Sequence, residues 1–155
     1  LNGLQEQIDI IEADIRETEK ILPGGIAELV LSNPPFWRKG EGKVSHDPEE
    51  AVARHEIMLG LPELLEKGAY LLLPGGKMDI IHRANRLDEA MELFRSYKIP
   101  VRRLRFIHSF REREARLVLI EGVKNPPGPV TIMPPLIIYE QPGVYSQELR
   151  NIYGR

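Results

Sequence analysis

Cysteine is absent from the 155 residues. That excludes disulfides, thiolate metal sites and a cysteine nucleophile. No apolar run is long enough to span a bilayer, and no signal peptide is legible. Neither sign of charge is in excess. The net charge is −2, so there is no global attraction to nucleic acid or to an anionic membrane, and any basic surface must be local. The four histidines, His46, His55, His82 and His108, show no metal-ligand spacing, so no metal site is expected. A soluble, cytoplasmic protein is the resulting expectation.

What is present suits one globular domain over residues 1–155. The chain is 42% hydrophobic and 28% charged, enough for a core with a solvated surface. It begins with Leu1, and LNGLQEQIDII reads as a helix tail capped by Gly3 and followed by a strand, so a preceding segment is expected. Residues 7–13 are expected to form a short buried strand ending at Asp14. Residues 27–32, AELVLS, form a second, after a Pro23-Gly24-Gly25 turn. Residues 38–46 are glycine-rich and charged, as in a loop. Asp47-Pro48 starts a helix running toward Lys67, with Pro62 predicted to kink it and Gly68 to close it.

AYLLL at 69–73, a Pro74-Gly75-Gly76 turn and KMDIIH at 77–82 make a further strand region. Leu87, Ala90, Met91 and Phe94 have helical spacing over 86–97, with Asn85 as a candidate cap. Residues 99–108 and 115–123 read as an antiparallel hairpin. From Asn125 the tail is proline-rich and extended until Ser146 caps a short final helix. Strands alternating with helices predict an open α/β sheet, parallel strands first and an antiparallel hairpin last. Ligands of such sheets bind beyond the carboxyl ends of the strands, which puts Asp14 and Asn33 on one rim.

Asn33-Pro34-Pro35-Phe36 directly follows the AELVLS strand. An exocyclic amine on adenine is a poor nucleophile because its lone pair is delocalised. Accepting a hydrogen bond from each of its N–H groups draws the nitrogen toward tetrahedral geometry. The Asn33 side-chain oxygen is one acceptor, and the Pro34 carbonyl, fixed by proline rings, is the other. Phe36 offers a face for a planar base, a stacking contact of about 1–3 kcal/mol. The alternative is a strand ended by a turn with Phe36 in the core, since Asn-Pro commonly starts turns.

SNPPF after an apolar strand resembles motif IV of the S-adenosylmethionine-dependent amino-methyltransferases, which have a Rossmann-like fold. The resemblance extends through NPPFWRKGEGKVSHDPEEAVARHE, LLPGGKMDIIHRANRL, RRLRFIHSFREREARLVLIEGVK and MPPLIIYEQPGVYSQELRNIYG. Together these resemble the bacterial tRNA adenine-N6 methyltransferases that modify valine tRNA beside the anticodon, over essentially the whole chain. The resemblance implies that Asn33, Pro34, Pro35 and Phe36 hold a flipped adenine. It implies that Asp14 accepts from the adenine amine of S-adenosylmethionine and that Ile15 contacts its base.

The family's GxGxG loop and its ribose-binding acidic residue are absent; Gly40-x-Gly42 lies in the wrong place. The chain therefore looks like the C-terminal part of such an enzyme, without the first two strands and, by itself, without activity. A missing N-terminal segment or a homodimer partner is expected to cover the open sheet edge.

Other residues are weighed beside these. Trp37 either stacks on a flanking base or covers the pocket. Arg38 and Lys39 follow the clamp and are candidates for tRNA contact, as are Arg54 and His55 on the next helix. Arg102, Arg103, Arg105, Arg111, Arg113 and Arg116 gather in the hairpin, either on a solvated face or against phosphates. Tyr139, Tyr145 and Tyr153 read as packing residues. Competing functions are methylation of another amine or amide (DNA or rRNA adenine, or a protein glutamine) and a non-catalytic module that binds RNA or a partner.

Overall fold

The computed structural model describes residues 6–34, 59–125 and 128–154. A single 3-10 turn (Ile15–Glu17) leads into α1 (Thr18–Ile21), then β1 (Ala27–Ser32). The chain continues through α2 (Leu61–Leu71), β2 (Leu72–Arg83), α3 (Leu87–Ser96), β3 (Val101–His108) and β4 (Ala115–Val123). The tail contributes β5 (Thr131–Ile132), β6 (Leu136–Ile137), β7 (Tyr139–Gln141), β8 (Val144–Tyr145) and α4 (Gln147–Ile152).

The main sheet runs β1-β2-β4-β3-β5, with β6 also on β3. β1 and β2 are parallel, as are β3 with β5 and β6, while β4 is antiparallel to both its neighbours. The expected mixed sheet, parallel first and a hairpin last, is therefore present. The carboxyl ends of β1, β2, β3 and β6 consequently share one rim.

Strand alternation divides the sheet into two unlike faces. Met78, Ile80 and His82 of β2, Leu104 of β3, and Val118 and Ile120 of β4 are buried. They meet Leu61, Leu64 and Leu65 of α2 and Ala90 and Phe94 of α3 in one core. Each fully buried Leu, Ile or Phe there contributes about 1.5–3 kcal/mol. The opposite face carries Leu29 and Leu31 of β1 and Leu119 of β4, all exposed, Leu31 at 69%. No described element covers it at β1, whereas Pro134 and Glu148 reach over its β3 side.

Several local expectations are corrected. Residues 7–13 form no strand; they are exposed, Ile10 at 92%. A strand needs a ladder partner, and none lies beyond β1 among the described residues. Pro62 does not kink α2: it sits in the first turn, where its missing N–H costs nothing, and the Glu63 carboxylate takes the Gly60 N–H at 2.8 Å. The helix start at Asp47 lies outside the described residues. Gly68 does not end the helix, which runs on to Leu71 and absorbs the first part of AYLLL. Its place is steric: a β-carbon there would stand 2.5 Å from Met78 Sδ.

The Pro74-Gly75-Gly76 turn exists as an insertion within β2. Ala27 pairs with Leu72 but Leu29 with Lys77, and Gly75 takes a φ of 80°. Lys124 Nζ, 2.7 Å from the carbonyls of both Ala69 and Leu72, satisfies acceptors where α2 ends. Asn85 caps nothing; it lies in a 3-10 turn (Ala84–Arg86) before α3. Ser146 caps α4 as expected, its hydroxyl accepting from the Leu149 N–H at 3.2 Å.

Candidate active site at the strand rim

β1 ends at Ser32, and Asn33 and Pro34 emerge from it at the carboxyl rim. Asn33 is exposed while Pro34 is buried, so the chain is anchored immediately after the amide. Pro35, Phe36, Trp37, Arg38, Lys39, Arg54 and His55 lie outside the described residues.

Asn33 lines one end of an open cavity of about 610 Å³ on the uncovered face of the sheet. Leu31, Ile81, Leu119 and Met133 give it an apolar floor, and Asp79, Arg103 and Glu121 add charge. Asp79 and Glu121 are cross-strand partners. Glu121 also stands between Lys77 at 3.6 Å and Arg103 at 3.7 Å. Burial pushes the Asp79 carboxyl above its ordinary range, and the Glu121 charge adds to this. Its Oδ1 is buried without a hydrogen-bond partner. This cluster went unnoticed in the sequence, although the alternation of KMDIIH puts Asp79 on the same face as Ile81.

Asp14 does not end a strand. It caps the turn at Ile15–Glu17, accepting from the Arg16 backbone N–H at 2.9 Å. The Arg16 guanidinium reaches back to both carboxylate oxygens, with Nη2 at 2.6 Å from Oδ2. That side-chain bond holds the Asp14 carboxyl down at about 2. Ile15 beside it is 37% exposed. The turn packs against α2, and α1 is tied to the same helix by Lys67 and Glu19 at 2.9 Å. Asp14 and Ile15 do not line the cavity that holds Asn33.

Five of the six hairpin arginines fall into two groups, Arg102 lying apart beside Pro129 and Thr131. Arg103 and Arg105 point to the uncovered face, Arg105 held by Glu148 at 2.5 Å and by the Pro134 carbonyl at 3.1 Å. Arg111, Arg113 and Arg116 lie at or beside the β3–β4 turn, exposed on the carboxyl rim. No described group of His, Asp or Glu has metal-binding geometry. No helix among the described residues is long and apolar enough to cross a membrane.

A sheet of this topology, with an Asn-Pro pair at the end of β1, defines a methyltransferase-like α/β fold. The crystal structure of a predicted O-methyltransferase from Agrobacterium tumefaciens superposes with a TM-score of 0.72 at 17% identity, over 95% of this chain and 62% of that one. In sequence, the chain is 28% identical over 151 residues to the tRNA1(Val) (adenine(37)-N6)-methyltransferase of Porphyromonas gingivalis, covering 92% of this chain and 57% of that protein. The enzyme of the same name from Aeromonas hydrophila is 30% identical over 94 residues, 61% of this chain and 37% of that one. The chain thus spans about half the length of the curated relatives it matches. No family model matches it.

Proposed function

We propose that this chain forms the target-amine half of an S-adenosylmethionine-dependent adenine-N6 methyltransferase acting on tRNA, beside the anticodon of a valine tRNA. The observation that carries the reading is Asn33-Pro34 at the carboxyl end of β1, the amide exposed to a cavity and the proline buried behind it. The names and coverage of the tRNA-modifying relatives support the substrate.

In this reading Asn33 Oδ1 and the Pro34 carbonyl accept the two N–H groups of a flipped adenine. Phe36 and Pro35 pack on its ring, and Trp37, Arg38, Lys39, Arg54 and His55 hold the RNA around it. The cofactor supplies an electrophilic methyl group on a sulfonium. Asn33 and Pro34 would hold the N6 lone pair toward that methyl; on transfer the sulfur would keep the S–C pair as a thioether and the amine proton would pass to water. The clamp thus works by positioning, with no dedicated general base.

The fit to the cofactor is confined to its adenine end. Asp14 is ionised, and Arg16 makes two contacts to each of its oxygens, so a cofactor amine would take the place of part of that pairing. Ile15 adds an apolar surface beside it. A preceding segment of the polypeptide, or a second copy, covers the outer edge of β1 and the exposed Leu29 and Leu31. The exposure of those residues supports this, because parallel strands are ordinarily buried on both faces.

The test is methyl transfer from labelled S-adenosylmethionine by the polypeptide as its gene expresses it. Unmodified valine tRNA, duplex DNA and a glutamine-bearing protein are offered in parallel. N6-methyladenosine beside the anticodon, lost about a hundredfold in Asn33→Ala, is the expected result. Label entering DNA or the protein instead, or an undiminished rate in Asn33→Ala, overturns it.

A further inference from the structure

The carboxyl rim carries a second feature, which begins at β2, one strand over from Asn33, and extends to β6. Beyond Arg83 at the end of β2 lies an open polar hollow of about 1160 Å³, formed mainly by the β3–β4 turn. Its walls combine Arg83, Arg113 and Arg116 with Glu112, Glu114, Phe110 and Tyr139, so its basic groups are interspersed with two carboxylates. From that hollow a run of aromatic rings leads outward. Phe110 and Tyr139 have centroids 5.6 Å apart, Tyr139 and Tyr145 are stacked at 5.2 Å and 16°, and Tyr145 and Tyr153 follow at 6.4 Å.

The run is built into the fold. Tyr139 leaves β6, and its N–H donates to the Ser109 carbonyl at 3.0 Å, which fixes the β7–β8 ribbon to the end of β3. Tyr139 and Tyr145 are register partners in that ribbon. Tyr153 comes from α4, whose start Ser146 caps. The outer rings remain open to solvent, Tyr145 at 43% and Tyr153 at 64% exposure. Packing alone does not call for tyrosines left so exposed.

We infer that the arginine-lined hollow and the Phe110–Tyr139–Tyr145–Tyr153 run form a binding track for single-stranded RNA, separate from the adenine clamp. Arg113 and Arg116 meet phosphates, and the exposed tyrosine rings stack on bases. Alternating basic groups and π-faces are the chemistry that holds a single strand without reading its sequence. Neither arginine has an ion-pair partner among the described residues. Placement supports the same occupant. Strands are spaced about 4.8 Å apart, so β6 stands on the order of 20 Å along the rim from β1. A strand leaving a flipped base at Asn33 crosses Arg83, then Arg116 and Arg113, and reaches the tyrosines within a few nucleotides. This assignment rests on the RNA-methyltransferase reading for the identity of its ligand and extends it to a second contact surface.

Fluorescence anisotropy with two labelled single-stranded RNAs tests the track. One is an adenine-centred trinucleotide, which reaches only the clamp; the other is a nonanucleotide with the adenine near its end. Tyr145→Ala and Tyr153→Leu should each weaken the nonanucleotide about tenfold and leave the trinucleotide within twofold. Tyr153→Leu keeps apolar bulk, so a loss there reports the ring and not a packing defect. Arg113→Gln combined with Arg116→Gln should reduce the slope of log affinity against log salt by about 1.4.

Nonanucleotide binding within twofold of the parent in all three variants overturns the track. So does an equal loss for both RNAs. Asn33→Ala, run in parallel, separates the two claims. If it weakens both RNAs while the tyrosine variants do not, the clamp stands and the track falls. If only the tyrosine variants matter, the track stands and the clamp reading falls. Absence of any RNA binding removes both.

Discussion

Asp79 and Glu121 face each other directly across the β2–β4 pair, two carboxylates at one register position on the uncovered face of the sheet. Like charges placed opposite one another destabilise a sheet. Lys77 and Arg103 flank Glu121 and moderate the repulsion, but Asp79 keeps a buried oxygen without a partner. Its carboxyl binds a proton more tightly in the folded chain than an ordinary aspartate does.

The sign of the pH effect follows. A carboxyl whose folded pKa is raised costs stability above that pKa. The cost fades as pH falls through the folded value toward the ordinary 3.8. Asp79→Asn should therefore raise the urea midpoint at pH 7 and flatten its change on acidification. An unchanged midpoint at pH 7 would contradict the electrostatic account.

His82 has the opposite sign. It lies on the inward face at 2% exposure, and burial, reinforced by Arg86, pushes its pKa below 6.5. The unfolded chain therefore takes up a proton that the folded chain resists. Stability should decline as pH falls from about 6.5 toward the folded value. Replacing the imidazole in His82→Leu should remove that part of the pH slope, read by denaturant melts at pH 7.5 and 5.5.

Gly122 of β4 is required by its neighbours. A β-carbon there would meet Phe94 Cδ1 at 2.5 Å and the Ile99 carbonyl oxygen at 2.6 Å. A backbone atom cannot rotate away, and Phe94 is fully buried. Gly122→Ala should cost about 1–3 kcal/mol by overpacking, measured by equilibrium unfolding.

Ser146→Ala removes the cap of α4 and should cost about 1 kcal/mol. Because α4 carries Tyr153, hydrogen exchange should rise first in α4, and nonanucleotide affinity should drop with it.

Legibility in the sequence followed from whether a signal was local. β1, the β3–β4 hairpin, the helix at 87–96 and the Ser146 cap were all readable, because periodicity and capping chemistry lie within a few residues. Residues 7–13 have the composition of a strand, but a strand also needs a neighbour. Composition cannot report whether one is there. Gly68 looked like a helix stop because the side chain that demands it, Met78, is ten residues away on another element. The same holds for the rim. Asn33 was recognisable as a local motif, whereas the aromatic run joins rings from a turn, a ribbon and a helix. Its tyrosines, read singly, looked like packing. The Asp79–Glu121 pair is a register property, invisible until the strands are aligned.

β1 has a ladder partner on one side only among the described residues, and Asn33 is mounted at its end. In the proposed reading the adenine clamp therefore inherits the opening equilibrium of a singly supported strand. Apparent affinity at Asn33 is the intrinsic affinity scaled by the fraction of molecules in which β1 is docked. Anything that zips onto the outer edge of β1 raises that fraction without touching the adenine. Occupancy of a sheet edge thereby becomes a rheostat for base capture.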